Sequence, residues 1–313
     1  MTRRFASLLA ILAFLLAACG SPLASPSASP AVTGTAAATA AFPATLTDFQ
    51  GRSVTLSQRP QRLVSIGPSI TEFLYALGAG SRVVGDDDFS DTPAEAAKVT
   101  HVGGVKVNFE QVVALKPDLV LSVKFSDGTI EKLASAGLTV LVVDPQSASD
   151  VARTAILLGK AVGADGDTMA QDIQKRVDAV RATTAKAASK PRVYHEIDAS
   201  DPTKIFTVGP GSYIADLIEI AGGVNVFATA TGAYPQVSAE QVLRADPEVI
   251  VVAASDYSAK PDQIAARPGW SVISAVRNKR FGAIDPNLIN RPGPRIGEAA
   301  EAYARVVHPE LFK

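Results

Sequence analysis

The chain reads as an α/β protein of two related lobes with largely parallel sheets. Three observations predict this: a duplicated helix–strand block, apolar runs without alternation, and a helical stretch between the halves. The block Asn108-Phe109-Glu110-Gln111-Val112-Val113-Ala114-Leu115-Lys116-Pro117-Asp118 returns as Ser238-Ala239-Glu240-Gln241-Val242-Leu243-Arg244-Ala245-Asp246-Pro247-Glu248, with Glu240 lying 130 positions after Glu110. That period is too long for a solenoid unit and suits a lobe.

Asn108 and Ser238 are N-cap residues whose side-chain oxygens can accept an unpaired first-turn N–H. Gln111 and Gln241 stand where a capping box places the returning side chain, and Val107 with Val112, like Val237 with Val242, fits a hydrophobic staple. Pro117 and Pro247 stop each helix, since proline lacks a donor and restricts the residue before it. The apolar runs that follow suit strands buried on both faces. Glu110 and Glu240 have no part in the box and point to solvent, where local chemistry alone would have them complement the helix dipole. Looser echoes pair Gly67-Pro68-Ser69 with Gly209-Pro210-Gly211-Ser212, and Val140 to Pro145 with Phe281 to Pro286.

Arg3 and Arg4 precede an uncharged apolar stretch from Phe5 to Ala18, which ends in Leu16-Ala17-Ala18-Cys19. A basic start, a short apolar segment and small residues before a cleavage point describe an export signal over residues 1–18. Leu-Ala-Ala-Cys resembles the lipobox of bacterial lipoproteins, which implies a diacylated Cys19 and a membrane anchor. Residues 19–44 are rich in Ser, Ala, Pro and Thr and carry no charge, so they read as a flexible tether. Residues 45–163 then form an N-terminal lobe, 164–190 a connecting helix and 191–313 a C-terminal lobe. The connecting helix is expected over Asp167–Ala188, with Met169, Ile173, Val177 and Val180 on one face. A single helical strut predicts a small hinge motion.

The full chain holds 30 basic and 31 acidic side chains. Loss of Arg3 and Arg4 with the signal leaves 28 against 31, so nucleic acid is excluded as a partner. Cys19 is the only cysteine, which leaves no thiol for a disulfide, a sulfur-bound metal or Cys catalysis. Asp86-Asp87-Asp88 could suggest a cation site and hence an enzyme, but three neighbouring acids read more simply as a solvated turn. No glycine-rich turn spells a nucleotide fingerprint, and Ser69 is no nucleophile elbow. A tethered scaffold would leave the duplicated block unexplained. No catalytic residue, resident cofactor or protein-bound metal is expected.

Arg62-Leu63-Val64-Ser65-Ile66-Gly67-Pro68-Ser69, Asp91-Thr92-Pro93, His101-Val102-Gly103-Gly104, Arg267-Pro268-Gly269-Trp270 and Asn290-Arg291-Pro292-Gly293-Pro294-Arg295 occur in an order that resembles the extracytoplasmic binding proteins of bacterial importers for cobalamin, ferric siderophores and haem. The resemblance covers residues 60–310. It implies two Rossmann-like lobes joined by one long helix, a monomer that holds a small metal chelate in its cleft, and delivery to an ABC permease dimer. It also implies that Glu110 and Glu240, one on each lobe, dock on arginines of that permease. Loops at the carboxyl ends of the strands should line the cleft. On them Ser69, Phe89, Tyr234, Asn287, Leu288 and Arg291 match cleft positions of cobalamin-binding relatives, and Phe125 and Tyr213 are further candidates. Relatives that bind cobalamin or haem often carry an aromatic near Gly104, where this chain has Gly103-Gly104-Val105-Lys106. His101 and His195 read as structural histidines. The expected cargo is cobalamin or another corrinoid, then a ferric siderophore, then haem.

Overall fold

The computed structural model describes residues 41–201, 203–254 and 259–312. The signal segment, Cys19 and all but the last residues of the tether lie outside them. A hairpin of β1 (Ala44–Thr47) and β2 (Ser53–Leu56) opens the described chain. Its turn is held by Asp48, whose Oδ1 accepts from the Gln50 and Arg52 amides, both at 2.9 Å.

The first lobe follows as β3 (Leu63–Ile66), α1 (Pro68–Ala76), β4 (Val83–Asp86), β5 (Thr100–His101), α2 (Phe109–Ala114), β6 (Leu119–Val123), α3 (Thr129–Ser135) and β7 (Val140–Val143). Its sheet runs β5-β4-β3-β6-β7, with every pairing parallel. All residues of β3 and β7 are buried. That is why the sequence shows apolar runs here rather than alternation.

Two helices carry the chain across. In α4 (Ala148–Val162) Ser147 caps the first turn, and Gly163 ends the helix at φ +67°. α5 (Gly166–Thr184) turns back against it, and a side chain on Gly166 would lie 2.1 Å from the Ala155 carbonyl. The expected face is present: Ile173, Val177 and Val180 are buried, joined by Ala170 and Thr184, while Met169 is half-buried. The helix stops four residues before the expected Ala188. Thr183 and Thr184 turn their hydroxyls onto the carbonyls of Ala179 and Arg181, and Thr184 also reaches Ile220 O at 2.7 Å. Such back-bonding competes with helix propagation. Nineteen residues give about 28 Å of strut.

The second lobe contains β8 (Arg192–Asp198), β9 (Ile205–Thr207), α6 (Tyr213–Ile220), β10 (Val224–Asn225), β11 (Gln236–Val237), α7 (Ala239–Ala245), β12 (Val249–Ala253), α8 (Pro261–Ala265), α9 (Ser274–Arg277), β13 (Phe281–Ile284), α10 (Pro286–Ile289) and α11 (Ile296–Val307). Its sheet runs β11-β9-β8-β12-β13, and β10 also pairs β8. The pairings of β8 with β12 and of β12 with β13 are parallel, but β9 is antiparallel to both of its neighbours.

The duplication reaches individual hydrogen bonds. The Arg62 guanidinium donates to the carbonyls that end α2, at Leu115 and Lys116, and its amide to Asp118 Oδ2. Arg192 does the same with the carbonyl of Asp246, at the end of α7, and with Glu248 Oε2. In both lobes the residue before the proline has positive φ, +48° at Lys116 and +40° at Asp246. Each copy is thus clipped to the first strand of its own sheet. One apolar core extends from β3 and α1 through α4 and α5 to α6 and α11.

Candidate functional site

Parallel strands aim their carboxyl ends at the same edge of a sheet, so the loops that leave them form the cleft walls. On the first wall β3 turns at Gly67, whose φ is +137° and where a side chain would sit 2.6 Å from Val123. Ser69 follows in the first turn of α1 and is buried against Gly293 of the second lobe. The segment after β4 presents Phe89, 52% exposed.

The turn beneath Phe89 is not solvated as the sequence suggested. Asp87 is buried, and its Oδ2 accepts from the Gly67 amide and the Ser90 hydroxyl, both at 2.8 Å, while Oδ1 takes the Phe89 amide at 2.9 Å. The Ser90 hydroxyl continues through Thr71 to Ser65 in two 2.8 Å steps. Asp86 is buried as well. Its Oδ1 lies 2.7 Å from His101 Nδ1, its Oδ2 has no hydrogen-bond partner, and burial pushes its carboxyl up to about 6. Asp88 alone of the three faces solvent. The Phe89 ring lies over Gly104, where a side chain would come within 2.9 Å of it. An aromatic at 104 and Phe89 in this place therefore exclude one another.

Arg291 occupies a different place from the one expected of a ligand contact. It is buried, and its guanidinium donates to Glu72 Oε1 at 3.2 Å, to Asp91 Oδ1 at 2.7 Å and to the Phe89 carbonyl at 3.1 Å. Arg295 adds two bonds to the same Glu72 carboxylate, at 2.8 and 2.7 Å. These arginines come from the second lobe and their partners from the first, so the cluster is an interlobe clasp. Asp91 is correspondingly held below the usual carboxylate range by its bond to Arg291.

On the second wall Tyr234 is 45% exposed, and burial together with the Asp144 carboxylate pushes its phenol up to about 12. Tyr213 lies behind it as a core residue rather than a surface one: its hydroxyl donates to the Ile289 carbonyl, and burial raises its phenol. Asn287 and Leu288 are half-buried in α10, with Leu288 against the main core and the Asn287 carbonyl accepting from Arg295. Phe125 is half-buried against a satellite core of the first lobe. Sequence reasoning passed over Lys124, Asp144 and Gln146. The first two leave β6 and β7 directly, so the strand-end rule that selected Ser69 also points to them.

Glu110 and Glu240 are exposed, one on each lobe. Ser238 and Gln241 complete the capping box on α7. At α2 the Asn108 amide is already bonded to the Val102 carbonyl, so Gln111 Oε1 accepts from the Asn108 side chain instead. Glu240 also takes a bond from the Ser238 hydroxyl, which lowers its pKa. His195 is fully enclosed with its Nδ1 against the Tyr303 hydroxyl, and burial drives its pKa down to about 3. Among the described residues no cluster of His, Cys, Asp and Glu could hold a metal ion, and no helix is long and apolar enough to cross a membrane.

Comparison with known proteins agrees with this architecture. Residues 63–288 match the periplasmic binding protein family. The chain is 34% identical over 314 residues to an ABC transporter substrate-binding lipoprotein of Bacillus subtilis (strain 168), covering 97% of this chain and 96% of that one. It is 31% identical over 280 residues to a cobalamin-binding protein of Halobacterium salinarum, covering 85% and 74%. The crystal structure of the periplasmic vitamin B12 binding protein BtuF of Vibrio cholerae superimposes with a TM-score of 0.69 at 28% identity, over 81% of this chain and 98% of that one. With two Rossmann-like lobes, a helical connection and a cleft between strand ends, this chain belongs to the periplasmic binding protein family, as an extracytoplasmic substrate-binding protein of an ABC importer.

Proposed function

We propose that the chain captures cobalamin or another corrinoid between its lobes and hands it to an ABC permease dimer. The observation that carries this reading is the pairing of exposed aromatics with a neutralised arginine. Phe89 and Tyr234 offer apolar faces from opposite lobes, as a flat macrocycle requires. Arg291, the group that would otherwise hold a carboxylate edge, is occupied by Glu72 and Asp91. A corrinoid carries a rim of uncharged amides and has no need of a free arginine. Haem brings two carboxylates and wants an axial His or Tyr. His195 is enclosed against the Tyr303 hydroxyl and His101 is held by Asp86, so neither offers an axial nitrogen to the cleft. The cobalamin-binding relative supports the same choice. The chelate is cargo, and no resident cofactor is needed.

Cys19, outside the described residues, supplies the lipid anchor in this reading. Glu110 and Glu240 meet arginines of the permease, where charge-assisted bonds favour orientation and encounter. The chain acts as a monomer, with one cleft for each permease dimer.

The test is thermal unfolding of the full chain with cyanocobalamin, haemin and a panel of ferric siderophores. A ligand at 100 times its dissociation constant adds about 2.7 kcal/mol of stability. A clear rise in Tm with cyanocobalamin is expected. A rise with a siderophore and none with cyanocobalamin overturns the corrinoid assignment.

A further inference from the structure

Where β6 and β7 end, the side chains of Lys124, Asp144 and Gln146 meet. Lys124 Nζ lies 3.6 Å from Asp144 Oδ2, and the Gln146 side-chain amide donates to Asp144 Oδ1 at 2.8 Å and to the Asp144 carbonyl at 3.2 Å. Gln146 therefore fixes the carboxylate and leaves Oδ2 facing Lys124. At 3.6 Å that pair is an ion contact and not a hydrogen bond. Both partners are accessible, the Lys124 side chain at 54% and the Asp144 side chain at 33%. Exposed pairs of this kind are worth about 0–1 kcal/mol, so an incoming ligand can open this one at small cost. Lys124 and Asp144 directly follow the carboxyl ends of β6 and β7, which run parallel to β3, so the group lies at the same edge of the sheet as Ser69.

We propose that Lys124, Asp144 and Gln146 form a polar rim of the cleft that binds an uncharged amide edge of the cargo. Lys124 donates to the amide oxygen, Asp144 accepts from its N–H, and Gln146 holds Asp144 in register. A primary amide satisfies both charges at once. A carboxylate in the same place gains from Lys124 but is repelled by Asp144, so the rim discriminates amide from acid, and Asp144 is the discriminating residue. The choice of probe rests on the corrinoid reading; the rim itself does not.

Isothermal titration of the full chain tests the proposal with cyanocobalamin, its three peripheral monocarboxylic acid derivatives and a neutral ferric trihydroxamate, against the native chain, Asp144→Asn and Lys124→Met. Unchanged melting temperatures establish that the variants fold. At least one monocarboxylate should bind the native chain about tenfold more weakly than cyanocobalamin, as expected for a like-charge contact at a partly exposed site. Asp144→Asn should close most of that gap by relieving the repulsion, which a purely structural role for Asp144 would not do. Lys124→Met should weaken cyanocobalamin about tenfold, by loss of one charge-assisted bond. If all three acids bind the native chain like cyanocobalamin, or the gap survives in Asp144→Asn, the rim is wrong while the corrinoid assignment stands. If only the trihydroxamate binds, the corrinoid assignment falls, and the rim survives only if both variants weaken that ligand. If no probe binds, both fall.

Discussion

Two buried ionisable side chains bend the pH dependence of this protein in opposite directions. His195 is enclosed in β8 and its pKa falls from 6.5 to about 3. Between those values the unfolded chain holds a proton that the folded chain does not, so His195 costs stability as pH drops from 6.5 towards 3. Asp86 is raised from 3.8 to about 6. In that window the folded chain holds the extra proton, so its contribution is complete below about 4 and is lost as pH rises through 6. Asp86→Asn keeps the shape and can still accept from His101, but it cannot ionise. Its urea midpoint should exceed that of the native protein at pH 7.5 and match it at pH 3.5. A difference that is constant across pH would show that burial of the charge is not the cause. The aspartate run was legible as a turn but not as a buried one. What draws Asp87 inward is the Gly67 amide and the Ser90 hydroxyl, and the Thr71 and Ser65 hydroxyls beyond them belong to other elements.

At the scale of elements the duplicated block was the clearest signal, because caps, staples and prolines act over a few residues. Helices α2 and α7 lie where those local rules put them, and the arginine clip repeats with them. The antiparallel strand β9 was not legible, since pairing direction depends on the path of the chain and not on local pattern. The repeat also yields a prediction about the partner. Glu110 and Glu240 are exposed in the first turns of short helices on separate lobes. Reversing both to lysine should leave cyanocobalamin affinity within about twofold, as for distant independent sites. Uptake in cells, or ATPase stimulation of the reconstituted permease, should fall by at least about tenfold, because like charges then oppose at two contacts. Undiminished transport by the double variant would remove the docking role.

For the whole molecule, the question is how far the lobes can move. The sequence suggested a strut, and the strut is present, but it is not what holds the cleft in place by itself. The main core passes without a break from the first lobe to the second. The clasp of Glu72 and Asp91 with Arg291 and Arg295 closes the interface beside the cleft. Arg291 and Glu72 stand 219 positions apart, a separation over which neither residue announces the other, so Arg291 reads from sequence as a free cation after the last strand. Removing one partner of a buried ion group leaves the others desolvated and unpaired, at a cost of about 3–5 kcal/mol. Arg291 retains Asp91 and Arg295 is partly exposed, so Glu72→Ala should cost about 3 kcal/mol in urea unfolding, near the lower end of that range. The same change should loosen the lobes. Spin labels at positions 110 and 240, on the two exposed first turns, report the interlobe separation directly. Their distance distribution should be narrow in the native chain, should shift little with cyanocobalamin, and should broaden in Glu72→Ala. If the variant loses stability but keeps the native distribution, the continuous core alone sets the lobe geometry, and the clasp serves only to keep its own charges paired.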